Sequence, residues 1–187
     1  GALRLRPLGS TDLGWHLSSG RAVVELGART YDDPLTVEAT SQFTNNSWLF
    51  DAFAWLLWGV TGPAGLTVLA GLCMSATTLI LWRIAADSLG PTGRWRAIAL
   101  AALATGIASV RFFPRPHLFF LLCLAASIWT TRSALRAQGR RQLAWGAALC
   151  AVVALWAQCH LSVVIAPVVV LLSLDRRPDP RLIAFFP

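Results

Sequence analysis

Asp12 and His16 stand four residues apart in Thr11-Asp12-Leu13-Gly14-Trp15-His16. On a helix that spacing sets both on one face, within reach of each other. A carboxylate beside an imidazole can take a proton from a substrate hydroxyl or help to hold a metal. The same spacing fits a plainer role, in which Asp12 caps the helix that follows. A second group is Arg111-Phe112-Phe113-Pro114-Arg115-Pro116-His117. Guanidinium groups match phosphate in a two-pronged geometry, although an arginine at the end of a span also snorkels to lipid headgroups. A third is Gln158-Cys159-His160, and His117 and His160 are read either as ligands of a phosphate or as polar residues ending helices. Asp32-Asp33-Pro34 suits either a divalent cation, which prefers adjacent carboxylate oxygens, or a turn, which Asp initiates well.

These residues need elements to bring them together, and composition says of what kind. Apolar residues make up 56% of the 187-residue chain, and the mean hydropathy is +0.59. A soluble domain sits nearer 45–50% apolar. The polar exception is Thr11 to Asp51, which holds Asp12, Glu25, Asp32, Asp33, Glu38 and Asp51, six of the nine acidic residues. All 16 basic residues are arginine, for a net charge of +7. They fall in short clusters between apolar runs, so the charge does not point to nucleic acid. Cys73, Cys123, Cys150 and Cys159 lie in or beside apolar runs at spacings that suit neither a disulfide framework nor zinc. P-loop, G-x-S-x-G, H-E-x-x-H and Rossmann glycine patterns are absent from the sequence.

The expected architecture is all-α and polytopic: about five transmembrane helices and an extracytoplasmic segment with interfacial helices. The segment covers residues 1–63 and the bundle residues 64–187. Leu13 to Leu26 reads as a helix closed by Gly27, and Ala28 to Asn46 as a loop. Ser47 to Trp58 reads as a short aromatic helix lying at the membrane interface, ended by Gly59, Gly62 and Pro63. The five spans are Ala64–Trp82, Ala97–Val110, Leu118–Thr131, Leu143–Trp156 and Val163–Leu174. The last four cover only about 18–21 Å of a ~30 Å hydrocarbon core. The polar break at Gln158-Cys159-His160, with Pro167 beyond it, divides what would otherwise be one long helix.

Arginine placement orients the bundle. Arg83, Arg94 and Arg96, then Arg132, Arg136, Arg140 and Arg141, then Arg176, Arg177 and Arg181 occupy alternate connections. The positive-inside rule assigns these to the cytoplasm. The opposite face then receives Thr11–Pro63, the Arg111/Arg115/His117 turn and the Gln158/His160 turn. Residue 1 is Gly, and Ile183 to Pro187 begins a further apolar run. The chain is therefore expected to be a fragment of a longer protein and to lack activity by itself.

The segment Asp12-Leu13-Gly14-Trp15-His16-Leu17-Ser18-Ser19-Gly20 resembles a bacterial membrane-protein pattern, D-x-x-W-H-L-x-x-G. Glu25-Leu26-Gly27, Asp33-Pro34-Leu35-Thr36, Trp48-Leu49-Phe50-Asp51, Arg115-Pro116-His117 and Trp156-Ala157-Gln158-Cys159-His160 follow in the order of that pattern. The proteins carrying it resemble the GT-C glycosyltransferase superfamily, which includes protein O-mannosyltransferases and aminoarabinose transferases. The resemblance implies an inverting enzyme of the bacterial cytoplasmic membrane that moves a sugar from a polyprenyl-phosphate donor on the outer face. Asp12 would occupy the position of the loop carboxylate that acts as base on the acceptor or positions it. Arg111 and Arg115 would hold the donor phosphate. Ser47 departs from the pattern, which often has an acidic residue there. Membrane lipid and the lipid-linked sugar are the partners implied. A non-catalytic scaffold or a transporter on the same helices is the alternative, although a transporter would place more polar residues at mid-membrane depth.

Overall fold

The computed structural model describes residues 12–27, 29–32, 42–109 and 113–174. The described residues are mainly helical, with one short two-stranded ribbon. Helix α1 runs Leu13–Leu26 and ends on Gly27, whose φ of 66° is the left-handed conformation glycine reaches at little cost. Its bounds coincide with those expected. Between Gly27 and Asn45 the expected loop contains two three-residue strands, β1 (Thr30–Asp32) and β2 (Gln42–Thr44). They pair antiparallel, with Thr30 opposite Thr44. So short a ribbon has no strong alternating pattern, which is why composition reads it as loop.

Helix α2, Trp48–Leu89, is the spine of the molecule, and it bends once, at Gly62 (φ 63°, ψ −154°). Pro63 removes a helical N–H and restricts the residue before it, and glycine alone adopts that backbone conformation readily. The expected short aromatic helix is the first arm of α2. It does not end at Gly59 but continues to the bend. A 3₁₀ turn, Pro91–Gly93, reverses the chain into α3, Arg94–Ala108. Helices α4 (His117–Arg136) and α5 (Arg140–Cys159) have 20 residues each, about 30 Å at 1.5 Å per residue. A 3₁₀ segment, Leu161–Ile165, leads into α6, Ala166–Leu174.

By length and composition, α2, α4 and α5 can each cross a membrane. They outrun the expected spans because helical hydrogen bonding continues into the flanking residues, polar ones included. Helices α3 and α6 are shorter, with 15 and nine residues.

Helix α4 packs against α2, α5 and α6, and α1 lies against the first arm of α2. Three small cores result. Leu13, Phe50, Ala54, Leu66 and Cys159 form the one beneath α1. Ala70, Cys73 and Leu118 join α2 to α4, and Cys123, Trp156 and Ala166 join α4, α5 and α6. Outward faces carry Leu72, Leu79, Leu103, Ile107 and Leu171 in the open, as a lipid-facing surface requires. At the arginine-rich end Arg136 reaches Asp87 at 3.2 Å and Arg132 donates to Ser88 at 3.1 Å, tying α4 to α2. Trp129 and Trp145 meet edge to face at the same end, with centroids 5.4 Å apart.

Gly20 lets α1 approach α2 closely. A Cβ built there would fall on the backbone carbonyl of Asp51 and 2.9 Å from Trp55 Cβ. Leu13, His16, Leu17 and Gly20 recur at helical spacing, so the face of α1 that carries His16 is the one pressed against α2.

Candidate functional site

The end of the bundle opposite the arginine-rich connections gathers α1, the start of α2, the turn before α4 and the α5–α6 junction. At its centre is the Asp51 carboxylate, in the first turn of α2 and only 1% exposed. His16 Nδ1 lies 2.7 Å from its Oδ1. Asn45 Nδ2 donates to Oδ2 at 2.8 Å, and the Ser47 hydroxyl donates to the same oxygen at 3.3 Å. Asn45 is itself held, its Oδ1 accepting from the Ser47 N–H at 2.9 Å and its own backbone N–H bonding Arg29 O at 2.9 Å. A buried carboxylate is tolerated only when such donors replace water. Its place at a helix N-terminus adds the favourable end of the helix dipole. The hairpin therefore serves the site by returning the chain so that Asn45 closes over Asp51.

Asp12 and His16 part company. The backbone N–H of His16 bonds Asp12 O at 3.0 Å. The side chains, however, go to different partners. Asp12 Oδ2 pairs with Arg115 at 3.1 Å, while His16 turns to Asp51. Nor does the Asp12 side chain cap α1, which corrects the capping reading of that four-residue spacing. The reason is tertiary: Arg115, from the turn before α4, meets the Asp12 carboxylate, while Asp51 of α2 meets His16.

His117 and His160 stack at a tilt with ring centroids 4.8 Å apart. His16 packs edge-on against Phe50 at 5.6 Å, and Phe50 against Phe119 at 5.7 Å, which joins the α1 side of the site to α4. Trp48 Nε1 donates to Gln158 Oε1 at 2.8 Å, clamping the start of α2 to the end of α5. The Arg29 guanidinium sits 4.1 Å over the Trp48 ring, a cation–π contact.

Asp12, Arg115, His117 and His160 are thus drawn to one end of the bundle, along with His16. Arg111 and Asp33 lie outside the described residues, and for Asp32 only the backbone, in β1, is described. Among the described residues no three His, Cys, Asp or Glu side chains are grouped to hold a metal. The residue that sequence reasoning missed is Asp51. Its signal was present in Trp48-Leu49-Phe50-Asp51, a polar residue closing an aromatic turn, but the partner of His16 lies 35 residues away. Asn45 carried no signal of its own.

His160 takes the Ser162 N–H on Nδ1 at 3.0 Å, so that nitrogen bears no proton. Burial lowers its pKa, and the neighbouring His117 and His16 rings lower it further. The unfolded chain then binds a proton more readily than the folded one, and stability falls as pH falls. This contribution is complete above the ordinary imidazole value of 6.5 and is lost on acidification through the depressed folded value. Thermal unfolding of the detergent-solubilised protein should therefore show a lower Tm at pH 5 than at pH 7.5. His160→Asn retains an acceptor for the Ser162 N–H and should flatten part of that slope. An identical slope in the two proteins would place the titrating group elsewhere.

Compared with protein-family profiles, with curated proteins and with solved structures, the chain finds no match.

Proposed function

We propose that the chain carries the active end of a membrane glycosyltransferase of the bacterial cytoplasmic membrane, with five membrane-embedded helices, transferring a sugar from a polyprenyl-phosphate donor on the outer face. The observation that carries this reading is the Asp12–Arg115 pair, 3.1 Å apart, with 28% of the Arg115 side chain and 52% of the Asp12 side chain exposed. A partly exposed guanidinium held by a carboxylate is a prepared seat for a phosphate. The arginine-rich opposite end supports the orientation, since basic connections stay in the cytoplasm. The motif resemblance supplies the donor class.

In this reading the site has two ends. Arg115, His117 and His160 face the donor phosphate. The acceptor hydroxyl must lose a proton as the glycosidic bond forms, and Asp12 and His16 are the two groups at this end that could take it. Aromatic residues around Phe50, Phe119 and Phe120 wall the site on the α2–α4 side.

Transfer from a polyprenyl-phosphate sugar, measured with the full membrane-embedded protein in proteoliposomes, tests the reading. The double variant Asp12→Asn/His16→Gln removes both proton acceptors while keeping side-chain size. Its transfer rate should fall by at least about 10²-fold, the lower range for loss of a general base. An unchanged rate, or no transfer by the parent protein from any such donor, would leave a non-catalytic scaffold as the better account.

A further inference from the structure

His16 and Asp51 have the arrangement of a base and the group that orients it, and Asp12 does not. The Asp51 carboxylate, 1% exposed, meets only His16 Nδ1, Asn45 Nδ2 and the Ser47 hydroxyl among its described side-chain contacts. An ionised carboxylate accepts hydrogen bonds and donates none. Nδ1 of His16 must therefore carry the hydrogen of that 2.7 Å contact, and a neutral ring so held has its lone pair on Nε2. That nitrogen has no hydrogen-bond partner among the described residues. Nor is it sealed in: the buried unpaired side-chain atoms there are Trp82 Nε1, Ser127 Oγ and Thr131 Oγ1, and His16 retains 14% exposure. Asp12, by contrast, already answers to Arg115.

We infer that His16 Nε2 is the group that accepts the acceptor's proton, with Asp51 as the positioning residue that fixes its tautomer, and that Asp12 acts on the donor side by holding Arg115. This rests on the transferase reading above. In the step, the acceptor hydroxyl gives its proton to Nε2. The oxygen's freed electron pair forms the bond to the anomeric carbon. The bond from that carbon to the phosphate oxygen breaks, and its electron pair leaves on the polyprenyl phosphate, where the Arg115 guanidinium balances the charge. The imidazolium is stabilised by the Asp51 carboxylate until it releases the proton to water.

The titratable groups that interact with the dyad include Cys159, at the end of α5, which acts on Asp51, and His160 beside it, which acts on His16 and stacks on His117. The dyad is separated from these others by a readout that needs no activity. In ¹⁵N NMR of the full protein in nanodiscs, the neutral form of the His16 ring should show a protonated Nδ1 and a bare Nε2, and Asp51→Asn should shift it toward a mixture of tautomers. An Nε2-protonated ring in the parent protein would overturn the inference. In the transfer assay His16→Ala should lower kcat by about 10²–10⁴-fold with little change in the donor KM, and added imidazole should restore part of it. Asp12→Asn should mainly raise the donor KM. The converse, with Asp12→Asn abolishing kcat and His16→Ala harmless, would return the proton to Asp12 and overturn this inference alone, leaving the transferase reading in place. A double variant as active as the parent would overturn that reading.

Discussion

Asp51→Ala should cost the fold about 2–4 kcal/mol, because it strips the acceptor from several hydrogen-bond donors, each costing about 1–3 kcal/mol when left buried and unpaired. Three donors converge on that carboxylate, from His16, Asn45 and Ser47. Alanine leaves all three facing a space too small and too enclosed to rehydrate them well, and a buried polar group without a partner is costly. The loss falls on one seam, between α1 and the first arm of α2, because the side chain joins those elements and the hairpin. Asp51→Asn keeps the volume and one accepting oxygen but sets an NH₂ against one of the donors. It should cost less, about 1–3 kcal/mol. Gly20→Ala attacks the same seam sterically, since its Cβ would meet the Asp51 carbonyl. Overpacking of this kind costs about 1–3 kcal/mol. Because both substitutions act on one contact, the double variant should lose less than the sum of the two. Unfolding of the detergent-solubilised variants, followed by circular dichroism, reads these values. A loss under about 1 kcal/mol for Asp51→Ala would mean that α1 is held by its apolar residues alone.

Arg115→Ala should behave in the opposite way, leaving the fold in place and weakening the donor. The Asp12–Arg115 pair is too open to contribute much stability: 28% of one side chain and 52% of the other are exposed, and pairs of that kind contribute about 0–1 kcal/mol. A hydrogen bond to a charged group such as a phosphate contributes about 1.5–3 kcal/mol. At about 1.4 kcal/mol per tenfold, the donor KM should rise by roughly 10- to 150-fold. Arg115→Lys should recover little of this, because a single ammonium cannot reproduce the two-pronged fit. Titration of the polyprenyl-phosphate sugar in the proteoliposome assay, beside an unfolding measurement, separates the outcomes. Destabilisation above about 2 kcal/mol with donor affinity intact would make Arg115 a strut of the bundle and remove it from the site.

The parts of this molecule that depend on near neighbours were legible in the sequence. Helix α1 could be bounded to the residue because its start, its apolar spacing and Gly27 all act within one or two turns. The bend of α2 was marked by Gly62-Pro63, since the constraint on φ and the missing N–H are properties of those two residues. The alternation of arginine-rich and arginine-poor connections arranged the helices so that the three polar clusters met at one end. What the sequence could not decide was which side chain meets which. His16 was matched to Asp12, four residues away, yet it bonds Asp51, and Asp12 bonds Arg115 across the bundle. Helical spacing says which residues share a face, but the choice of partner depends on how closely two helices approach. Here that approach is set by the missing side chain of Gly20. The lengths of α2, α4 and α5 were underestimated for a related reason, because hydropathy stops at polar residues whereas backbone hydrogen bonding stops only at a cap; the last span was overestimated, because its first turn is the 3₁₀ segment Leu161–Ile165. The burial of Asp51 follows from both, since only the packed α1, the closed hairpin and the first turn of α2 together supply the donors that let a carboxylate remain there.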